Sequence, residues 1–195
     1  MTGTTAGRTV VAVFAHPDDE TFSVGGTLAH YAEQGGRVVL ITATRGELGE
    51  ISDPALATPD NLGEVREREL RNACGRLGVT DVRFLDYRDS GMAGTEGNND
   101  PRAFIQVDRD TVVRRLTALF RELRPDAVLT FDASGGYGHP DHIRAHEVAT
   151  AAFDAAGDPT AYPDAGPAAR LGRLFYTGFP RSLMQEMLRQ ARERG

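Results

Sequence analysis

Residues 9–20 read TVVAVFAHPDDE, and the change of character inside this stretch decides the fold. The first six residues are apolar and largely β-branched, a run too short for a helix and suited to a strand buried on both faces. The next six turn abruptly polar: His16, Asp18, Asp19 and Glu20 follow Ala15, with Pro17 stiffening the backbone between them. A buried strand that ends at once in histidine and acids predicts a parallel sheet with its chemistry at the carboxyl edge.

Working outward, the same alternation repeats. Helical spacing over 25–34 stops at Gly35-Gly36, and RVVLITAT at 37–44 is a second strand. A helix over 64–77 closes at Gly78, a strand covers 82–85, a helix 107–123 and a strand 127–131. A glycine-rich loop at 134–140 leads to a helix over 141–156; a short strand at 174–176 and a helix over 182–194 complete the pattern. Strands alternating with helices predict an α/β fold: a three-layer, Rossmann-like, mostly parallel sheet with helices on both faces, in one domain over 1–195. The loops TRGELGE, DYRDSG and DASGGYGHPDH then fall on the same sheet edge as AHPDDE.

Composition narrows the classes. Hydrophobic residues at 40% and charged residues at 26% are ordinary globular values and exclude disorder and fibres. The net charge of −6 argues against nucleic-acid binding, which needs a basic face. All 22 basic residues are arginine, which removes Schiff-base and P-loop lysine chemistry. Cys74 is the only cysteine, so no internal disulfide forms, and its place in a helix reads as packing. No apolar run is long enough to span a membrane, and the first residues lack the pattern of a secretory signal; the expected location is the cytoplasm.

The chemistry gathers in two clusters, His16-Pro17-Asp18-Asp19-Glu20 and His139-Pro140-Asp141-His142. Either alone reads equally well as a turn with an aspartate cap. Together, each after a strand of one sheet, they fit a catalytic zinc site, which takes three His or carboxylate ligands and leaves one position open. One of the adjacent acids Asp18 and Asp19 can ligate while the other takes a proton. Glu20 is an alternative ligand to Asp19, and His146 pairs with His142 at helical spacing.

The sequence resembles the LmbE-like (PIG-L) family of zinc-dependent N-acetylglucosaminyl deacetylases, on AHPDDE at 15–20, TRGE at 44–47 and GYGHPDH at 136–142, with matching element order over 8–181. The resemblance implies a hydrolase that removes an N-acyl, typically N-acetyl, group from an amino sugar conjugate. It implies zinc (iron(II) is tolerated by the same donors) on His16, Asp19 and His142, with Asp18 as general base. It further implies His139 as acid and oxyanion partner oriented by Asp141, and Tyr137 polarising the amide carbonyl. Arg66, Asp89 and Ser23 match sugar- or inositol-binding positions of the mycothiol-pathway members, which are longer than this chain at the C-terminus. It gives Glu20 and His146 supporting roles. A small-molecule amino sugar is the expected partner, with room for a homo-oligomer.

Rival readings are an amidase of mycothiol S-conjugates, a deacylase of another N-acylated small molecule, and a non-catalytic metal-binding module. The last leaves Asp18 without a purpose, since structural zinc is normally closed by four ligands. A dinucleotide oxidoreductase would need a glycine fingerprint where His16-Pro17-Asp18 stands.

Overall fold

The computed structural model describes residues 7–178 and 189–190. The helix expected over 182–194 therefore lies outside the described residues, apart from the pair 189–190. Five strands form one sheet: β1 (Thr9–Phe14), β2 (Arg37–Thr42), β3 (Asp81–Phe84), β4 (Ala127–Phe131) and β5 (Arg173–Thr177). Their order is β3-β2-β1-β4-β5 and every pairing is parallel, with Val10 registered on Val38 to one side and on Ala127 to the other. Among the described residues every strand pair is parallel.

β1 is central, which explains its unbroken apolar run: Val10 to Ala15 are all at most 1% exposed. The helices are α1 (Asp19–Glu33), α2 (Leu62–Arg76), α3 (Arg109–Leu123), a single turn α4 (Gly135–Gly138) and α5 (Pro140–Gly157). The crossovers through α1 and α2 run one way along the sheet and those through α3 and α5 the other. Right-handed connections place the two pairs on opposite faces, and α3 packs along α5. Arg121 of α3, 4% exposed, donates to the carbonyls of Ala155, Ala156 and Asp158 at the C-terminal end of α5 and to those of Ala161, Tyr162 and Gly166 beyond it. It neutralises the negative end of the helix whose other end carries His142.

Between β1 and β4 the strand order reverses, which is where open α/β sheets form ligand crevices. His16 leaves β1 there, and the 132–142 segment leaves β4. Two boundaries differ from the sequence reading. α1 begins at Asp19, not residue 25, because Asp18 adopts φ 114°, ψ −29° and turns the chain from strand into helix within two residues of His16. The 134–140 segment is a helical turn broken by Gly136 at φ 71° rather than a plain loop. Cys74 is buried as expected, and burial pushes its thiol up to about 12. Among the described residues no helix is long and apolar enough to cross a membrane.

Candidate metal centre and its cleft

His16 and His142 arrive from opposite sides of the crevice and meet, His16 Nδ1 lying 3.2 Å from His142 Nε2. Asp19 joins them from the first turn of α1, its Oδ1 3.3 Å from His142 Nε2 and its Oδ2 3.6 Å from His16 Nδ1. Pro17 and the turn at Asp18 bring Asp19 back beneath His16, and Asp19 Oδ2 accepts the His16 backbone N–H at 2.7 Å.

The outer nitrogens fix the tautomers. His142 Nδ1 donates to the Gly135 carbonyl at 3.1 Å, so Nε2 carries a lone pair. His16 Nε2 donates to Asp141 Oδ2 at 3.1 Å and faces Asp89 Oδ1 at 3.4 Å, leaving a lone pair on Nδ1. With His16 in its neutral form, two imidazole lone pairs and a carboxylate oxygen point at one another. Ligand atoms around tetrahedral zinc, at bonds of about 2.0–2.1 Å, sit about 3.3 Å apart. The donors fit that ion in type, number and separation.

Without a cation, protons take its place. Burial opposes charge on His16, yet its hydrogen bonds to Asp141 and Asp89 and the charge of Asp19 outweigh it and raise the ring to about 10. Burial pushes Asp19 up to about 7 against the pull of His16. His142 is driven down to about 3 by burial and by its two histidine neighbours.

Two triads of close donors without Asp19 also contain His16, one with His139 and His142 and one with Asp89 and Asp141. Hydrogen bonding argues against both. His139 Nδ1 accepts the Asp141 backbone N–H at 3.2 Å, so its proton sits on Nε2, which is then no ligand. Asp89 and Asp141 are already spent on the outer nitrogen of His16. Burial, then the nearby charge of His16, lowers the His139 pKa.

Several sequence expectations change here. Asp141 was expected to orient His139; its carboxylate instead accepts from His16 Nε2, the Ser90 amide (2.9 Å) and the Ser90 hydroxyl. Only its backbone amide touches His139, because Asp141 sits in the first turn of α5 with His139 as N-cap. Asp89 lines the cleft, but its carboxylate accepts from the amides of Gly91 (2.8 Å) and Leu48 (3.1 Å), tying two loops to His16. Burial opposes its ionisation, but His16 and those amides hold it below the usual carboxylate range. Ser23 is not among the cleft-lining residues, since the early start of α1 turns that position away. His146 serves Phe131, bonding its carbonyl at 2.8 Å through Nδ1. Ser90 was missed by the sequence reading; its only signal was its place between Asp89 and Gly91.

The remaining expected residues converge. A cleft of about 690 Å³ opens beside the centre, lined by His16, Asp18, Asp89, Tyr137, His139 and Arg66 together with Leu48, Ile51 and Leu56 of the 45–61 loop. Tyr137 is 67% exposed, its ring 4.9 Å from that of His142. Arg66 bonds Asp18 Oδ2 at 2.9 Å and the carbonyls of Pro17 and Gly46.

Known proteins share this sequence and fold. Residues 11–153 match the family model PIG-L, described as GlcNAc-PI de-N-acetylase. A relative from Geodermatophilus obscurus, named 1D-myo-inositol 2-acetamido-2-deoxy-α-D-glucopyranoside deacetylase, is 47% identical over 191 residues. That match covers 93% of this chain and 65% of the relative, so the chain spans just under two thirds of its length. Among solved structures, N,N'-diacetylchitobiose deacetylase from Pyrococcus horikoshii superposes with a TM-score of 0.72 at 24% identity, covering 87% of this chain and 60% of that one. GalB, the 4-carboxy-2-hydroxymuconate hydratase of Pseudomonas putida, superposes at 0.65 with 24% identity, covering 87% and 65%. A hydratase on the same scaffold shows that the fold alone does not name the reaction. The family match spans both histidine clusters and most of the chain, and on that ground this protein belongs to the PIG-L family.

Proposed function

We propose that the chain is a zinc-dependent N-deacetylase that hydrolyses the acetamide of an N-acetylglucosaminyl glycoside to a free amine and acetate. The observation that carries this reading is the convergence, beside one cleft, of three donors at zinc-ligand spacing with a carboxylate they do not use and an imidazole that bears its proton on Nε2. His16, Asp19 and His142 would hold the metal. Bound zinc supplies Lewis acidity, which acidifies a ligated water to a pKa near ~7 and polarises a carbonyl.

The chain's own residues supply the rest. Asp18, at the cleft and free of the metal set, takes the proton of the attacking water. His139, with its proton on Nε2, donates a hydrogen bond to the developing oxyanion, and Asp18 returns the water's proton to the departing nitrogen. The Tyr137 hydroxyl, exposed at the cleft mouth, reaches the acyl oxygen as a second donor. Asp141, Ser90 and Asp89 hold the His16 ring in the tautomer that leaves Nδ1 free.

The cleft's charge selects among substrates. Asp18, Glu50, Asp53, Glu69 and Asp89 line its outer part beside Arg66, which is already paired with Asp18. That acidic lining suits an uncharged inositol glycoside, of the kind named for the relative, better than a phosphodiester.

Amine release from N-acetylglucosaminyl-inositol, N-acetylglucosamine, a chitooligosaccharide and a mycothiol conjugate, with metal content measured on the same protein, tests the reading. Release lost on chelation and restored by zinc is expected, strongest on the inositol glycoside. A zinc-loaded protein that frees no amine from any of the four would overturn it.

A further inference from the structure

His16, Asp18 and Asp19 lie within four residues, and all three serve one crevice. Regular backbone cannot deliver this: neighbours alternate faces in a strand and diverge by about 100° in a helix. The chain achieves it by holding Asp18 at φ 114°, ψ −29°, a region that L side chains rarely adopt. Asp18 is also the N-cap of α1. An aspartate in that place normally turns its carboxylate onto the first-turn amides; here no such cap bond forms. Two other residues account for both facts.

Glu20, 1% exposed, accepts the Asp18 backbone N–H through Oε2 at 3.1 Å and the Thr21 hydroxyl through Oε1 at 2.5 Å. From the second helical position it reaches back to the N-cap amide, much as the N3 glutamate of a capping box does. Glu20 binds the N-cap amide, and the Asp18 carboxylate is released from capping. From α2, Arg66 donates to the Pro17 carbonyl at 2.6 Å, the Gly46 carbonyl at 2.9 Å and Asp18 Oδ2 at 2.9 Å. It fixes the peptide before Asp18 and the carboxylate itself. A buried carboxylate is costly to keep, and spending it on one backbone amide makes sense where that amide's orientation matters.

We propose that Glu20 and Arg66 are positioning residues that clamp Asp18, from its amide and from its carboxylate, in the strained turn that aims it into the cleft. The clamp rests on Asp18 acting as the base of the proposed deacetylation. Arg66 is thereby an anchor of the AHPDDE turn in addition to a wall of the cleft.

The test uses the full zinc-loaded chain and the variants Glu20→Leu, Glu20→Gln and Arg66→Gln, with two readouts. One is hydrogen exchange of the Asp18 amide by NMR; the other is kcat and KM for amine release, with zinc content. Glu20→Leu is expected to speed Asp18 exchange about tenfold or more and to lower kcat about tenfold to a hundredfold, with KM within about twofold and zinc unchanged. Glu20→Gln keeps an acceptor oxygen and is expected to retain most of both. Arg66→Gln is expected to lower kcat similarly and keeps the question answerable should Glu20→Leu not fold. Wild-type exchange and kcat in both Glu20→Leu and Arg66→Gln would overturn the clamp, as would a Glu20→Gln variant as impaired as Glu20→Leu. If the unaltered protein frees no amine, the proposed reaction falls, and exchange at Asp18 alone still decides the clamp.

Discussion

His16 Nδ1 and His142 Nε2, 126 positions apart in sequence, face each other at 3.2 Å, each ring held by a bond to its other nitrogen. Two lone pairs so placed repel unless a cation or proton sits between them. His142→Ala is therefore expected to lose zinc by at least about a hundredfold in affinity, whereas Asp18→Ala keeps zinc and loses most turnover. Metal analysis beside amine release separates the two, and equal metal loss in both variants would contradict the division of roles.

Metal binding should depend on pH in a stated direction. In the metal-free protein His16 titrates near about 10 and Asp19 near about 7, both raised. Zinc must displace those protons, so its affinity rises with pH across this range. Calorimetry in buffers of different ionisation heat should find net proton release on zinc binding between pH 6 and pH 8. For the metal-free fold the sign follows from the raised pKa of His16: its contribution to stability is present below about 6.5 and is lost as pH rises through about 10. A metal-free midpoint that climbs with pH over this window would contradict that.

Asp141 is fully buried and touches no substrate-facing space, yet its carboxylate holds His16 and Ser90. Asp141→Asn keeps the shape and removes the charge. Zinc affinity is expected to fall about 10–100-fold, measured by competition with a chelator. Affinity equal to the parent protein would show that the His16 tautomer does not depend on it.

Gly135 sits at φ 64°, and a Cβ there would lie 2.8 Å from His142 Cβ and 2.9 Å from the Ile143 nitrogen. Its carbonyl also holds His142 Nδ1. Gly135→Ala should cost about 2 kcal/mol or more in urea unfolding and weaken zinc binding. Gly26 of α1 has nothing within 4 Å of its Cβ position, so Gly26→Ala is the contrasting case, expected to stabilise by about 0.5–1 kcal/mol. Equal effects at the two sites would count against the close packing around His142.

Much of this was legible in residue order. The apolar run of β1, the alternation with helices and the two histidine clusters after strands gave the parallel sheet and put His16, Asp19, His139 and His142 at one edge. Some pairings were not legible. Asp141 stands two residues from His139, which suggested that they pair, but its side chain crosses to His16 on the other side of the crevice. Asp89, read as a sugar contact on a glycine-rich loop, lines the cleft and also ties two loops together. The helix onset at Asp19 was hidden because residues 19–24 have no strong apolar period to announce it.

The sequence by itself determined the strand order's raw material: hydrophobic period, proline and glycine positions and donor types are local properties, and local physics fixes them. Only the tertiary structure decided which nitrogen of each histidine is free, which carboxylate supports which ring, and that Glu20 holds the Asp18 amide. Those outcomes depend on hydrogen bonds between segments up to 126 residues apart. Such bonds form only after the right-handed crossovers have brought the ends of β1 and β4 together, and no local rule encodes them.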